Sequence, residues 1–190
     1  MNQPPTVLRT AVNGLMAQHK RKGYQFEENI RCILEKNPRL REEYKQPDLS
    51  SDRLYRSDVV YPPNSKESCL KICDADPSKL ILRRERTKDE DNPAIHYGLI
   101  ASANRLMKDA VLRDKLTKDK DILCFEIEAA GLMNHFPCLV IRGICDYSHK
   151  NKDWQGYAAV MAAAYAKDLL CRIPPNKIEA EKRIGEILSG

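Results

Sequence analysis

Residues 121–131 read DILCFEIEAAG, and this stretch decides how the second half of the chain is interpreted. Its apolar side chains predict a buried strand, yet Glu126 and Glu128 stand on either side of Ile127 near its end. A carboxylate in an apolar segment is costly unless a charged or hydrogen-bonding group meets it. The stretch therefore indicates either a functional site at a strand end or a strand that is shallower than its composition suggests.

The segments around this stretch alternate between strand and helix patterns. Residues 94–102 and 137–146 are apolar runs typical of strands, whereas residues 104–119 and 154–172 show helical patterns. The order β-α-β-α-β-α predicts an α/β fold with a mostly parallel sheet. We therefore place the core of the domain at residues 94–173.

Two helices are predicted near the start of the chain. Apolar side chains at helical spacing follow Pro4 and Pro5, a pair typical of a helix start. A second set of apolar residues recurs at i, i+4, i+7 and i+8 from Phe26 to Lys36, and Pro38 should end that helix.

The chain between these helices and the core is less regular. Residues 37–92 contain several prolines and the charge run RRERTKDEDN, which indicates exposed, irregular chain with a short edge strand within KLILR. We assign residues 1–93 to a helical and irregular N-terminal part of the same domain. Residues 174–190 follow a proline break and are predicted to be a C-terminal linker or helix.

Composition restricts the class of protein. With 190 residues and 42% hydrophobic side chains, the chain can bury one modest core. The net charge of +5 is spread along the chain, which is poor support for a nucleic-acid partner. No apolar run is long enough to span a membrane, and the N-terminus lacks the apolar core of a signal peptide. A cytoplasmic protein is expected.

The seven cysteines are an odd number, and four of them lie in apolar surroundings, which favours reduced, buried thiols. Cys69 and Cys73 form a CxxxC pair, but no histidine pair or second cysteine pair follows at zinc-finger spacing. No metal site is predicted.

Polar side chains follow the ends of the three predicted strands. Ser102 and Asn104 end the first strand, Glu126 and Glu128 the second, and Asp146 the third. Ligands of parallel α/β sheets bind where the carboxyl ends of the strands meet. Acids that face one crevice there could bind sugar hydroxyls and donate a proton.

Each carboxylate also has a structural interpretation. Glu126 or Glu128 could cap the helix predicted in AAGLMNHF, and Asp146 could pair with Arg142 or cap a turn. For any one of these residues alone, a structural role is favoured. Their occurrence at successive strand ends favours a site.

Three longer segments carry a resemblance to a known family. HYGLIASANRLMKD, CFEIEAAGLMNHFPCLVIRGICDYS and HKNKDWQGYAAVMAAAYAKDLL resemble the purine and uridine phosphorylase-like (nucleoside phosphorylase) superfamily. The most specific part is E-x-E-A-A followed by R-x-I-C-D at this spacing. The similarity is greatest to the fungal branch found at the front of multidomain NACHT, ankyrin or tetratricopeptide proteins. It implies a partial three-layer α/β/α sandwich of the nucleoside phosphorylase type, with a mostly parallel central sheet and without the N-terminal part of the family domain.

The resemblance implies roles for the residues of the first motif. Glu128 would bind ribose hydroxyls, with Glu126 as the first glutamate of the motif beside it. Ile127 stands where the family usually has methionine, and it would keep the apolar contact with the sugar while reaching less far.

The resemblance also implies which residue acts as the acid and which residues border the base. Asp146 would protonate or hydrogen-bond the departing purine nitrogen, which lowers the barrier because the base would otherwise leave as an anion. Ser102, Leu106 and Met107 would border the base. The family's Ser-Gly-Asp turn is replaced here by Ser102-Ala103-Asn104.

The phosphate-binding or water-activating part of the family has no counterpart in this sequence. The chain has only 8 glycines, and no two of them are adjacent, so no phosphate-cradling turn is predicted. The basic cluster LRRERTK is a candidate substitute, although a solvated charge run is the favoured interpretation. We expect no cofactor, with phosphate as a candidate co-substrate.

Three functions remain open at this point. The chain could cleave the N-glycosidic bond of a purine-type nucleoside, bind a nucleoside without turnover as a sensor, or be a fragment of a multidomain NLR-like fungal protein. The expected partner is a small nucleoside rather than nucleic acid or a membrane. Absent first strands would leave an open sheet edge, so a homo-oligomer or neighbouring domains are also expected.

Overall fold

A computed structural model of the chain describes residues 3–59, 76–87, 90–104, 107, 109–132, 136–145 and 152–179. Its helices are α1 (Thr6–Lys22), α2 (Phe26–Lys36), α3 (Pro38–Tyr44), α4 (Ala110–Lys120), α5 (Ala129–Leu132), α6 (Gln155–Leu170) and α7 (Pro175–Glu179). Its strands are β1 (Leu99–Ser102) and β2 (Ile122–Glu126), and short 3₁₀ turns lie at Leu49–Ser51 and Pro77–Lys79. Within these ranges no helix is both long and apolar enough to cross a membrane.

Helices α1, α2 and α6 supply most of the main hydrophobic core. Apolar side chains three or four residues apart lie on one face of a helix, and each of these helices buries such a face. Leu15 of α1 is the most deeply buried, with 1% of its surface exposed. The buried members of the cluster are Ala11, Leu15, Phe26, Ile30, Leu34, Tyr157, Met161, Tyr165, Leu169 and Ile173.

The two strands and the helix between them form a parallel β-α-β unit. Strand β1 pairs with β2 in parallel, and α4 connects them. Asp109 begins α4, since its carboxylate accepts a hydrogen bond of 2.9 Å from the backbone N–H of Leu112. The α/β class predicted from the alternating pattern is therefore confirmed for this unit.

The predicted helices agree well with the structure. Helix α2 has the predicted bounds, and α1, α4 and α6 lie within or close to the predicted ranges. Two predictions for residues 37–92 need correction. Pro38 follows the end of α2 but also begins α3, because proline is well suited to the first turn of a helix. The edge strand expected in KLILR is reduced to one antiparallel bridge between Leu80 and Tyr55.

The prediction of a third strand is wrong for residues 137–145, which form no hydrogen-bonded strand in the structure. Their apolar side chains are used differently, because Leu139 and Ile141 pack against the helical core. Gly143 lies so close to α6 that a β-carbon there would overlap the carbonyl oxygen of Ala158. The segment is thus held against α6 instead of pairing with β2.

Candidate functional site

The carboxyl ends of β1 and β2 place two of the predicted site residues next to each other. Ser102 and Glu126 are direct partners in the parallel register. Paired residues on neighbouring parallel strands project to the same face of the sheet. The Ser102 hydroxyl oxygen and Oε1 of Glu126 are both buried, and neither has a hydrogen-bond partner in the described part of the chain. An unpaired buried polar atom is unfavourable, which makes this pair a candidate for contact with a ligand.

The second oxygen of Glu126 has a structural role. Oε2 accepts hydrogen bonds of 2.7 Å from the backbone N–H of Glu128 and 2.8 Å from that of Ala129. These donors belong to the start of α5, so Glu126 caps this short helix, as the structural interpretation of the sequence anticipated. Only 6% of the surface of Glu126 is exposed. The Glu126 carboxylate therefore lies at the end of β2, caps α5 through Oε2 and has a second oxygen without a partner in the described part of the chain.

Glu128 lies beyond the strand, and its side chain is 71% exposed. Its Oε2 accepts a hydrogen bond of 3.1 Å from the backbone N–H of Ile127 and one of 3.2 Å from Nη1 of Arg142. The backbone N–H of Ile127 is the main cause that holds the pKa of Glu128 below its usual value, and Arg142 adds to the effect. Glu128 is therefore ionised at neutral pH and can accept hydrogen bonds from hydroxyl groups.

Arg142 was not predicted as a site residue. Its side chain is 32% exposed, and its guanidinium joins the segment 137–145 to the strand end through Glu128. A charged residue within the apolar run LVIRGIC was the available signal in the sequence. The alternative pairing of Arg142 with Asp146 concerns a residue outside the described ranges.

The other predicted site residues are distributed as follows. Ile127 follows Glu126 directly and is 38% exposed. Met107 comes between β1 and α4 in the sequence and is half-buried. Leu106 and Asp146 lie outside the described residues, as do Cys69 and Cys73. The structure thus brings together Ser102, Glu126, Ile127 and Glu128 at one strand end.

A cavity of about 720 Å³ lies between the sheet and α6. Its sheet side is lined by Ile100 and Cys124, each two residues before Ser102 and Glu126 on the same strands. Its helix side is lined by aromatic side chains, among them Trp154 and Tyr157, whose rings meet edge to face at 5.8 Å. This size and mostly apolar lining are typical of small-molecule sites.

Arg142 lines the cavity and contacts the carboxylate of Glu128, so it links the cavity to the strand end. Cys124 on the same wall is no candidate nucleophile, since burial raises the pKa of its thiol and keeps it protonated. In the described part of the chain, no three histidine, cysteine or acidic residues are grouped so that they could hold a metal ion.

The chain is similar to one segment of a much longer fungal protein. It is 38% identical over 185 residues to a nucleotide-binding leucine-rich repeat (NLR)-like protein of Hyaloscypha variabilis. The match covers 96% of this chain but only 17% of that protein. No protein-family model matches the chain, and no solved structure matches it. The comparison links the chain to fungal multidomain proteins of the NLR type.

Proposed function

We propose that the chain is a nucleoside phosphorylase-like domain of a fungal NLR-type protein, which binds a purine-type nucleoside and cleaves its N-glycosidic bond. The fold proposed for the complete unit is the three-layer α/β/α sandwich of nucleoside phosphorylases. The pentosyl group would pass to phosphate or water, without a further cofactor. The motif E-x-E-A-A with R-x-I-C-D supports the proposed family.

The observation that carries this proposal is the pair of buried oxygens at the ends of β1 and β2 that have no hydrogen-bond partner among the described residues. Ser102 can donate or accept a hydrogen bond, and Oε1 of Glu126 can accept one. The ionised Glu128 stands two residues further along the chain. A sugar with adjacent hydroxyls offers donors to both carboxylates and an acceptor to the serine, so it would satisfy groups that have no partner among the described residues.

The chemical step is assigned to Asp146. As an acid it would donate a proton or hydrogen bond to a ring nitrogen of the leaving base, while charge develops on the sugar. The apolar side chains of Ile127, Leu106 and Met107 would contact the sugar and the base. The adjoining cavity is large enough for a purine ring and has aromatic walls suited to stacking.

A second candidate function is nucleoside sensing without turnover. The relative is a multidomain protein of which this chain matches 17%, so recognition could serve other parts of such a protein. The sequence also lacks the glycine-rich phosphate turn of the family. Release of free base separates this candidate from the enzyme, because a sensor would bind nucleoside and leave it intact.

The test combines calorimetry with a base-release assay on adenosine, with and without phosphate. We expect Glu128→Gln to weaken adenosine binding at least about tenfold, since hydrogen bonds to a charged group contribute roughly 1.5–3 kcal/mol. Ser102→Ala should also weaken binding while leaving the folded state as stable or slightly more stable, because its buried hydroxyl has no partner to lose. Asp146→Asn should mainly abolish base release.

Glu35→Gln is the matched control, because Glu35 is an exposed glutamate of α2 that pairs with Arg31, far along the chain from the strand ends. Equal adenosine affinity for the wild type, Glu128→Gln and Glu35→Gln would refute the site. Intact binding with no base release under either condition would favour the sensor.

A further inference from the structure

One wall of the cavity belongs to the main hydrophobic core. Phe26 of α2 and Tyr165 of α6 line the cavity and are buried members of the core cluster. His19 of α1 packs against both rings edge to face, with centroid distances of 5.6 Å to Phe26 and 6.3 Å to Tyr165. Tyr97 also lines the cavity, and its ring meets that of Tyr165 at 6.3 Å. The imidazole of His19 therefore supports two aromatic rings that form the cavity wall.

This imidazole is buried among apolar surfaces. His19 is 6% exposed, and neither of its ring nitrogens has a hydrogen-bond partner in the described part of the chain. Tyr24 packs against it at 5.2 Å, and the Tyr24 hydroxyl is likewise buried without a partner among the described residues. A neutral imidazole has one donor and one acceptor, whereas an imidazolium has two donors and a charge. The observed packing thus suits the neutral form, and a proton on His19 would favour a different arrangement of the rings.

Charged groups from several elements act on His19 and on the adjoining Tyr24. They are Asp168 of α6, Arg172 after α6, Asp91 and Arg86 before β1, and Glu27 of α2. Burial is the main influence and lowers the pKa of His19, while Asp168 and Asp91 act in the opposite direction and Arg172 adds to the effect of burial. The two carboxylates favour an imidazolium at this position, so a protonated form is accessible under acidic conditions without loss of the whole fold.

We propose that His19 is a positioning residue for the cavity wall, and that protonation of its imidazole displaces Phe26 and Tyr165 and weakens ligand binding in the cavity. Neutral His19 fills the space behind both rings and leaves the wall packed. An imidazolium instead seeks acceptors for its N–H groups, and the rings that surround it must move to admit them. By linkage, a ligand that binds the packed wall holds His19 in its neutral form. The choice of a nucleoside as that ligand rests on the function proposed above.

The pH dependence of adenosine affinity tests this role. Trp154 provides the signal, because it is the single tryptophan of the chain and lines the cavity. Adenosine is titrated into the 190-residue chain from pH 7.5 to pH 5 at constant ionic strength. We expect the dissociation constant of the wild type to rise below pH 6.5, by at most about tenfold per pH unit, which is the limit for one proton. His19→Phe keeps a ring behind the wall but cannot take up a proton, so it should lose this rise.

Two further variants show whether the proton is the one on His19. His96→Gln is the matched control, because His96 also lines the cavity but is exposed, and this variant should keep the wild-type pH profile. Asp168→Asn removes a charge that raises the pKa of His19, so its profile should move to lower pH. A rise that persists in His19→Phe but disappears in His96→Gln would overturn the proposal. If His19→Phe were unfolded by circular dichroism, Asp168→Asn would decide, and a profile that does not move would reject the proposal.

The ligand-free protein separates this proposal from the nucleoside function. Displaced rings change the surroundings of Trp154 in the cavity, so its emission should show a transition below pH 6.5 that is absent in His19→Phe. Such a transition without adenosine binding at any pH would support the role of His19 and refute the nucleoside function. Adenosine binding of equal strength at pH 7.5 and pH 5, with no transition in the emission, would support the nucleoside function and overturn the role of His19.

Discussion

The helical layer and the strand ends of this protein differ in how completely their side chains are satisfied. In the helical layer, α1, α2 and α6 bury a continuous apolar cluster, with Leu15 only 1% exposed. In the sheet, Leu99 and Leu123 stay 37% and 40% exposed, while oxygens of Ser102 and Glu126 are buried without hydrogen-bond partners among the described residues. We infer that the helices contribute most of the stability, and that the strand ends keep polar groups with which a ligand can form hydrogen bonds.

The largest expected effect tests the helical side of this comparison. Leu15→Ala should lower the free energy of unfolding by about 3 kcal/mol, because it removes buried methyl groups from a tightly packed site and leaves a cavity. Leu123→Ala in β2 is the matched control and should cost less than about 1 kcal/mol, since that side chain is already 40% exposed. Urea unfolding followed by circular dichroism measures both. Equal losses would mean that the sheet contributes as much stability as the helices.

A smaller effect is expected at the contact between segment 137–145 and α6. Gly143→Ala would force its β-carbon into the carbonyl oxygen of Ala158, so we expect a loss of about 2 kcal/mol and a changed Trp154 emission. Gly131→Ala is the control, because a β-carbon at that position of α5 meets nothing within 4 Å. It should be neutral or stabilising by up to about 1 kcal/mol. A Gly143→Ala protein with unchanged melting temperature would show that the segment moves away from α6 without cost.

The sequence predicted the helices better than the sheet for a physical reason. Helical spacing is local, so the apolar repeat of residues 26–36 identified α2 with its observed bounds. Strand pairing needs a partner elsewhere in the chain, and the apolar run at 137–145 carries no information on whether one is present. That run proved to pack on α6, with Gly143 as its closest approach.

The candidate site was predicted in residue type but not in arrangement. The pattern of Glu126 and Glu128 marked a strand end, and the two interpretations, helix cap and ligand group, were both open. In the structure Oε2 of Glu126 caps α5, which confirms the helix cap, whereas Oε1 is buried without a hydrogen-bond partner among the described residues, so a role as a ligand group stays a prediction. The contact of Arg142 with Glu128 could not be predicted, because it joins two segments whose relative position depends on tertiary packing.

His19 shows that buried polar groups without a hydrogen-bond partner also occur in the described part of the helical layer. It is 6% exposed, and neither ring nitrogen has a hydrogen-bond partner in the described structure. Its ring packs against Tyr24, Phe26 and Tyr165, with centroid distances of 5.2, 5.6 and 6.3 Å. Burial lowers the pKa of His19 below 6.5; Asp168 and Asp91 oppose this shift, and Arg172 adds to it.

The smallest expected effect follows from this lowered pKa. The unfolded chain takes up a proton at His19 near pH 6.5, whereas the folded chain does so only at lower pH, so stability falls as the pH decreases below 6.5. The contribution of one such group cannot exceed about 1.4 kcal/mol per pH unit. His19→Phe keeps an aromatic ring in the cluster and should lose this part of the pH dependence. The urea midpoints of wild type and variant are measured from pH 7.5 to pH 5, and their difference gives the contribution of His19 to the pH dependence. The carboxylates titrate in both proteins, so their contribution cancels. A difference that stays constant over this range would show that His19 is protonated as readily in the folded protein as in the unfolded chain, and that burial in the helical layer does not disfavour its charged form.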